Sequence, residues 1–176
     1  MTKAPTLTTD HLILRGHTVD DFADTAALWA DPRVTEHITG EVQTSETSWQ
    51  RLLRYEGHWR FMDYGYFAVT DRAGAFLGCV GLADYKRQIE PMRSLAPEAG
   101  WAFLPNAQGQ GFAAEAVNRM LRWADTVLKA PRTHCILAPE HAASLRLADR
   151  TGFSAMQSVF FKGDNFVILT RENPLF

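Results

Sequence analysis

The segment Gln108-Gly109-Gln110-Gly111-Phe112-Ala113-Ala114-Glu115-Ala116 carries more information about this chain than any other. It follows an apolar run that ends at Leu104, and it opens a stretch, residues 113–129, that is rich in helix-forming residues. A strand that stops at Pro105, crosses a glycine-rich turn and enters a helix leaves several main-chain N–H groups unpaired at the positive end of the helix dipole. The two glycines let an anion approach the backbone closely. The segment therefore predicts a diphosphate site built from main-chain amides.

Two other nucleotide-binding patterns can be compared with this segment. A Lys in the Gly-Lys-Ser/Thr arrangement is missing, which argues against a nucleoside-triphosphate loop. The spacing Gly109-x-Gly111-x-x-Ala114 fits the degenerate dinucleotide fingerprint, but that fingerprint needs a strand running almost directly into the first glycine and an acid ~20 residues later. Here the strand is predicted to end at Leu104, and residues 129–135 contain no acid. An NAD(P)-binding oxidoreductase therefore stays as the second interpretation.

A downstream block favours a different cofactor. It reads Cys135-Ile136-Leu137-Ala138-Pro139-Glu140-His141-Ala142-Ala143-Ser144-Leu145 and continues to Thr151-Gly152-Phe153. Together with the spacing Gln108-x-x-Gly111-x-Ala113, it resembles the acetyl-CoA-binding core of the GNAT superfamily of N-acetyltransferases, most closely the RimJ/RimL-like branch. The opening segment, residues 7–15, resembles the first strand of that branch. The resemblance covers about residues 7–170 and implies an acetyl-CoA-dependent N-acetyltransferase.

Composition agrees with one soluble domain that spans residues 1–176. The chain is 46% hydrophobic and 22% charged, which is typical of a globular protein, and its length suits a single core. A net charge of −2 gives no electrostatic case for nucleic acid. No signal peptide or long apolar span is evident, so we expect a cytoplasmic protein without a membrane partner. Cys79 and Cys135 lack metal-type spacing and are predicted to be buried free thiols, and no metal is expected.

Hydrophobic periodicity predicts an α/β domain with a mixed sheet. One helix is expected to start near Thr18 and stop before Pro32, and in the helix at 45–62 the residues Trp49, Leu52, Leu53 and Trp59 are expected on one apolar side. The family resemblance adds that the sheet is twisted, mostly antiparallel, flanked by helices and splayed between two central strands. The predicted strands lie at 8–15, 66–70, 75–85, 98–104, 133–138, 153–161 and 165–170, and the remaining helices at 113–129 and 142–150.

The resemblance also implies where the cofactor binds. The pantetheine arm would lie between the splayed strands, bonded by main-chain groups near Trp101, Ala102, Phe103 and Leu104. The diphosphate would be held by Gln108, Gly109, Gln110, Gly111, Phe112 and Ala113. His141 stands where the family motif usually has Asn, so it either replaces contacts of that amide, titrates near neutral pH, or is a solvated loop residue.

Ser144 is the candidate acid, because it matches the serine that the RimJ/RimL-like motif places in the first turn of this helix. There it would protonate the departing thiolate, although a serine near a helix start often only caps free N–H groups. Glu98 is the candidate base for the incoming amine, since it begins the strand that lines the cleft and shares a side with Gly100 and Ala102. Its alternative is a structural carboxylate paired with an Arg.

The acceptor is predicted only as a class, a small-molecule or peptide amine. The basic connection at residues 86–93, with Arg87 and Arg93, would favour an acidic amine if it borders the acceptor site; otherwise it is a solvated loop. The last predicted hairpin leaves a strand edge that could pair in a homodimer. A non-catalytic CoA-binding domain is the third functional interpretation, after the acetyltransferase and the oxidoreductase.

Overall fold

The computed structural model describes residues 4–89 and 95–176, which contain eight β-strands and five α-helices. Most elements agree with the predicted bounds within a few residues. The helices at 45–62 and 142–150 agree at both ends. The strands are β1 Leu7–Thr8, β2 Leu12–Gly16, β3 Tyr66–Asp71, β4 Phe76–Ala83, β5 Glu98–Phe103, β6 Arg132–Leu137, β7 Ala155–Phe161 and β8 Asp164–Glu172, and the helices are α1 Phe22–Ala30, α2 Pro32–Thr35, α3 Ser45–Met62, α4 Phe112–Trp123 and α5 Ala142–Arg150.

All eight strands belong to one sheet in the order β1-β2-β3-β4-β5-β6-β8-β7. Neighbouring strands are antiparallel except for the central pair β5 and β6, which is parallel. That pair meets at one register position only, Glu98 opposite His134. Beyond this point the two strands no longer pair, which confirms the predicted mixed, mostly antiparallel sheet with splayed central strands.

Helices cover both faces of this sheet. On one face α4 buries Ala116, Val117, Met120 and Leu121, whose spacing puts them on a single stripe against strands β2, β4 and β5. On the other face Leu28 of α1 and Tyr55 of α3 pack in a second cluster that also holds Ala102 of β5. The opposite sides of β5 therefore serve different layers, because successive side chains on a strand alternate between faces.

Two predicted elements have different ends in the structure. The single strand expected at 8–15 is a hairpin of β1 and β2, because a tight turn breaks it. In that turn the Thr9 amide donates to the Leu12 carbonyl at 3.1 Å, and the Leu12 amide donates to Thr9 Oγ1 at 2.9 Å. The helix expected to reach Lys129 ends as α4 at Trp123 and continues as a π-helical turn to Leu128.

The apolar side predicted for α3 is only half correct. Leu52 and Trp59 are buried, as expected, but Leu53 is 53% exposed and Trp49 is 37% exposed. Consecutive helix residues differ by about 100°, and in α3 the side that faces the core includes Leu52 but not Leu53. Trp49 packs edge-on against Phe22 of α1 at 5.2 Å between ring centroids.

Both cysteines are free and buried, as predicted. No helix in the described part of the chain is long and apolar enough to cross a membrane.

Candidate active site

The splay between β5 and β6 opens a gap lined by main-chain groups of β5. The Leu104 amide bonds the Leu77 carbonyl at 2.9 Å on the β4 side of the strand, and the His134 amide bonds the Pro97 carbonyl at 3.1 Å on the β6 side. Since main-chain groups of successive residues point to opposite sides of a strand, those of Trp101 and Phe103 face the gap and those of Ala102 face β4. The gap thus offers the hydrogen-bonding edge of a missing strand.

The glycine-rich turn brings uncapped amides to one end of this gap. Gly109 and Gly111 have positive φ angles of 75° and 85°, a conformation that glycine adopts without strain. Gly111 is the N-cap of α4, and no side-chain cap bond to this helix is present among the described residues. A Cβ placed on either glycine would meet no heavy atom within 4 Å, so both glycines face open space in front of these amides. The turn therefore presents dipole-oriented donors to an anion.

Two glutamines hold the turn in shape. Nε2 of Gln108 donates to the Phe103 carbonyl at 3.0 Å, and Nε2 of Gln110 donates to the Asn106 carbonyl at 2.7 Å. Both side-chain amides thus stabilise the link between β5 and α4, including the 3-10 turn at Pro105–Ala107. It stays a prediction that the main chain of Gln108 and Gln110 contacts a cofactor, and the same holds for Phe112 and Ala113.

Two cavities meet in the gap. The first has a volume of about 330 Å³ and runs from the glycine turn to α5, and the second has about 740 Å³ and lies on the α3 side. Volumes of this order suit small molecules. The two cavities share four lining residues, Ile38, Trp101, His141 and Ser144. A ligand in one cavity would therefore meet a ligand in the other at this junction.

Ser144 lies at the junction and is fixed by two neighbours. The indole Nε1 of Trp101 is 3.1 Å from Ser144 Oγ, and Nε2 of His141 is 3.3 Å from the same oxygen. An indole N–H only donates, so Ser144 Oγ accepts from Trp101. Ser144 is only 6% exposed and makes no cap bond to α5, so the capping role that sequence analysis left open is not what the structure contains.

His141 is partly buried beside a second histidine. Its ring contacts that of His37 at a tilt of 32°, with centroids 4.9 Å apart. Burial lowers the pKa of His141, and the charge of a protonated His37 lowers it further, against a smaller opposing effect of Glu36. The imidazole is therefore neutral near pH 7, and either tautomer can bond Ser144.

Glu98 is tied to an arginine. Nε and a terminal nitrogen of Arg87 reach its two carboxylate oxygens at 2.7 and 3.0 Å, and the carboxylate is buried. A carboxylate held this way makes charge-assisted bonds that would weaken if it took up a proton. The geometry favours the structural alternative for Glu98. Its role as a base stays a prediction, and both of its carboxylate oxygens are engaged by Arg87. Arg87, one of the two arginines singled out in the basic connection at residues 86–93, is engaged in this ion pair. Arg93, the other one, lies outside the described residues.

The sequence analysis missed two cations of the second cavity, Arg51 and Arg54 of α3. The signal was available: neither has an acidic residue three or four positions away, so the helix itself supplies no ion-pair partner. Tyr66 was also missed as a lining residue. Its hydroxyl lies so near Gly100 that a Cβ at that position would be 2.0 Å from it.

Neither thiol is suited to act as a nucleophile. Burial raises the pKa of Cys135 to about 12, helped by the nearby charge of Glu98, and burial raises the pKa of Cys79 to about 11. A thiol must ionise to attack, so both remain protonated at neutral pH. Within residues 4–89 and 95–176, no cluster of three or more histidine, cysteine or acidic side chains could hold a metal ion.

Comparison with known proteins shows which family the chain belongs to. The profile of the acetyltransferase (GNAT) domain family matches residues 11–154. A putative GnaT-family acetyltransferase from Bordetella pertussis is 30% identical over 95% of this chain and 99% of its own, with a TM-score of 0.83.

Two more distant structures share the fold. An acetyltransferase from Agrobacterium tumefaciens superimposes with a TM-score of 0.84 at 22% identity, over 98% of this chain and 96% of its own. RimL, a ribosomal-protein α-N-acetyltransferase in complex with coenzyme A, has a TM-score of 0.74 at 13% identity, over 96% of this chain and 98% of its own.

Proposed function

This chain belongs to the GNAT family of acetyltransferases, and on that premise we propose that it moves the acetyl group of acetyl-CoA directly to a primary amine. The branch that its motifs resemble most is the RimJ/RimL-like one. The observation that carries the proposal is the pair of cavities that meet at Ser144, one leading to the glycine turn and one open on the α3 side.

The residues of the first cavity fit coenzyme A. The diphosphate would lie on the main-chain amides from Gly109 to Ala113, where the helix dipole favours negative charge. The pantetheine arm would bond the main-chain groups of Trp101 and Phe103 that face the gap. Coenzyme A carries the acetyl group as a thioester, which is activated toward attack by an amine.

Direct transfer needs a neutral amine and a proton for the departing thiolate. The amine would attack the thioester carbonyl from the second cavity, while a main-chain N–H of β5 holds the oxygen that becomes negative. With the proton of His141 on Nε2, Ser144 Oγ accepts from both Trp101 and His141. Its own hydrogen can then be donated to sulfur. Nε2 of the neutral His141 would return a proton to Ser144 Oγ while Nδ1 takes up the proton that the attacking amine loses, so that neither residue is left charged.

The other two interpretations differ from this one in testable ways. A dinucleotide site is disfavoured because a 3-10 turn separates β5 from Gly109, and because β5 and β6 pair at one position rather than forming a compact parallel unit. A non-catalytic domain would bind coenzyme A and transfer nothing.

Calorimetry and a thiol-release assay test the proposal together. We expect acetyl-CoA to bind with heat and NADH to give none, and we expect amine-dependent release of free coenzyme A from a panel of primary amines. Binding without release for every amine would leave only the non-catalytic interpretation. Heat with NADH alone would contradict the assignment of the cofactor.

A further inference from the structure

Two arginines in the second cavity have no carboxylate partner in the part of the chain that the structure describes. Nε of Arg51 is buried and makes no hydrogen bond, and its guanidinium lies 3.8 Å above the ring of Trp29. The guanidinium of Arg54 lies 5.2 Å from the ring centre of Tyr85. No salt bridge reaches either arginine from the described residues. The buried Nε of Arg51 is unfavourable without a hydrogen-bond partner, and an anion beside it would remove that cost.

The rest of the cavity does not neutralise this charge. Its described lining contains four cationic side chains, Arg51, Arg54, Arg87 and Lys162, against two carboxylates, Glu98 and Asp164. Glu98 is already bound by Arg87 through two short bonds. Only Asp164, on the hairpin of β7 and β8, is left against three cations.

Stacking leaves the arginines able to bind a ligand. A guanidinium can contact an aromatic ring and still use the N–H groups at its edge, which lie in its own plane, for hydrogen bonds. This edge matches the two oxygens of a carboxylate or a phosphate. The aromatic residues that line the cavity, including Tyr66, Tyr85 and Phe161, would contact an apolar portion of the same ligand.

We propose that the acceptor is a small amine that also carries an anionic group, a carboxylate or a phosphate, bound by Arg51 and Arg54. This inference rests on the proposed function, since the second cavity is where the amine would enter. The volume of about 740 Å³ fits a small molecule. The arginines would hold the anion away from Ser144 and direct the amine toward the junction of the two cavities.

Matched acceptor pairs test the proposal by coenzyme A release. The pairs are the common amino acids with their carboxamides, and phosphoethanolamine with ethanolamine; spermidine is added as a cationic amine. We expect kcat/KM for the best anionic acceptor to exceed that of its neutral partner by roughly tenfold or more, as for loss of a charge-assisted bond. The pair that shows the difference identifies carboxylate or phosphate as the anion.

Variants tie this preference to the arginines. Arg54→Gln, on an exposed side chain, and Arg51→Gln should each lower kcat/KM for the anionic acceptor roughly tenfold and change that of the neutral partner less than about twofold. Arg60→Gln is the matched control, because Arg60 lies on the same helix and outside the cavity lining. Arg54→Gln keeps the test decisive if Arg51→Gln fails to fold through loss of its contact with Trp29.

Three outcomes would contradict the inference. Neutral or cationic amines could be acetylated as fast as anionic ones, or Arg54→Gln could lower the rates of both partners of a pair alike, or Arg60→Gln could act like Arg54→Gln. If no amine is acetylated while acetyl-CoA still binds, the proposed function itself fails, and that result is distinct from the other three.

Discussion

The indole N–H of Trp101 and the hydroxyl of Ser144 are hydrogen-bonded at 3.1 Å, although the two residues are 43 positions apart. The bond ties the open edge of β5 to the first turn of α5. It lies where the two cavities meet, and it leaves the hydroxyl oriented by a group that can only donate. A serine held in this way has its own hydrogen available for a ligand.

Ser144→Ala should lower kcat with little change in the KM for acetyl-CoA. General acid catalysis typically contributes 10²–10⁴-fold, and a rate loss of roughly 100-fold is expected if Ser144 protonates the thiolate. Steady-state kinetics with a saturating acceptor measures it. Trp101→Phe is the companion variant: it keeps the ring, removes the N–H donor and should give a smaller loss. A fully active Ser144→Ala would show that the serine has a structural role only.

Activity should fall on the acid side as His141 takes up a proton. Burial and His37 lower the pKa of His141 below its ordinary value, so the neutral form persists to a pH below that value and is lost as the pH falls through the lowered pKa. We expect an acid limb in the pH profile of kcat/KM for acetyl-CoA. His141→Asn, which places the usual residue of the motif there, should remove this limb, and an unchanged profile would exclude His141 from the proton path.

Gly111→Val should raise the KM for acetyl-CoA and leave the KM for the amine nearly unchanged. A side chain at this positive φ would occupy the space in front of the α4 amides, and losing one charge-assisted bond to a phosphate corresponds to roughly a tenfold change. Gly74→Val is the matched control. It has a similar φ of 94° and open surroundings, but it lies in the turn between β3 and β4. Equal effects from both variants would point to backbone strain instead.

Glu98→Ala should destabilise the protein, because it leaves the Arg87 guanidinium partly buried without its carboxylate. Removing one partner of such a pair typically costs about 3 kcal/mol. Urea denaturation measures the loss. The double variant Glu98→Ala with Arg87→Met should recover part of it. If Glu98→Gln instead folds as stably as the unsubstituted protein and loses most of its kcat, the carboxylate acts as the base after all.

Stability should decrease between about pH 6.5 and 4 because of His17. Both ring nitrogens of His17 are buried, neither makes a hydrogen bond of good geometry within the described residues, and burial lowers its pKa to about 4. As the pH falls, His17 takes up a proton in the unfolded chain first, at its ordinary pKa near 6.5, and in the folded protein only near pH 4. The free energy of unfolding is therefore highest above pH 6.5 and decreases between these two values. The difference amounts to at most about 3 kcal/mol. His17→Phe should flatten the dependence in denaturation curves; an unchanged slope would assign it to other groups.

Local features of the chain were predictable because a few consecutive residues determine them. The glycines at 109 and 111 stand where positive φ is needed, and the helix that follows has its apolar residues at helical spacing. Local polarity did not decide which of two adjacent leucines in α3 is buried. Leu53 has the same polarity as Leu52 but faces solvent, because the position of α3 against the sheet decides which side is buried.

The sequence by itself determined the α/β class and the glycine turn, since these depend on short-range periodicity and on backbone angles that one residue type favours, and its motifs carried the resemblance to the family. Only the tertiary structure decided the partners of the charged groups. Arg87 lies in a connection outside the strands, and the fold places it on Glu98. Among the described residues, no carboxylate forms a salt bridge with Arg51 or Arg54, although both line the second cavity. Such pairings depend on which segments the sheet brings together, and side-chain chemistry alone does not encode that geometry.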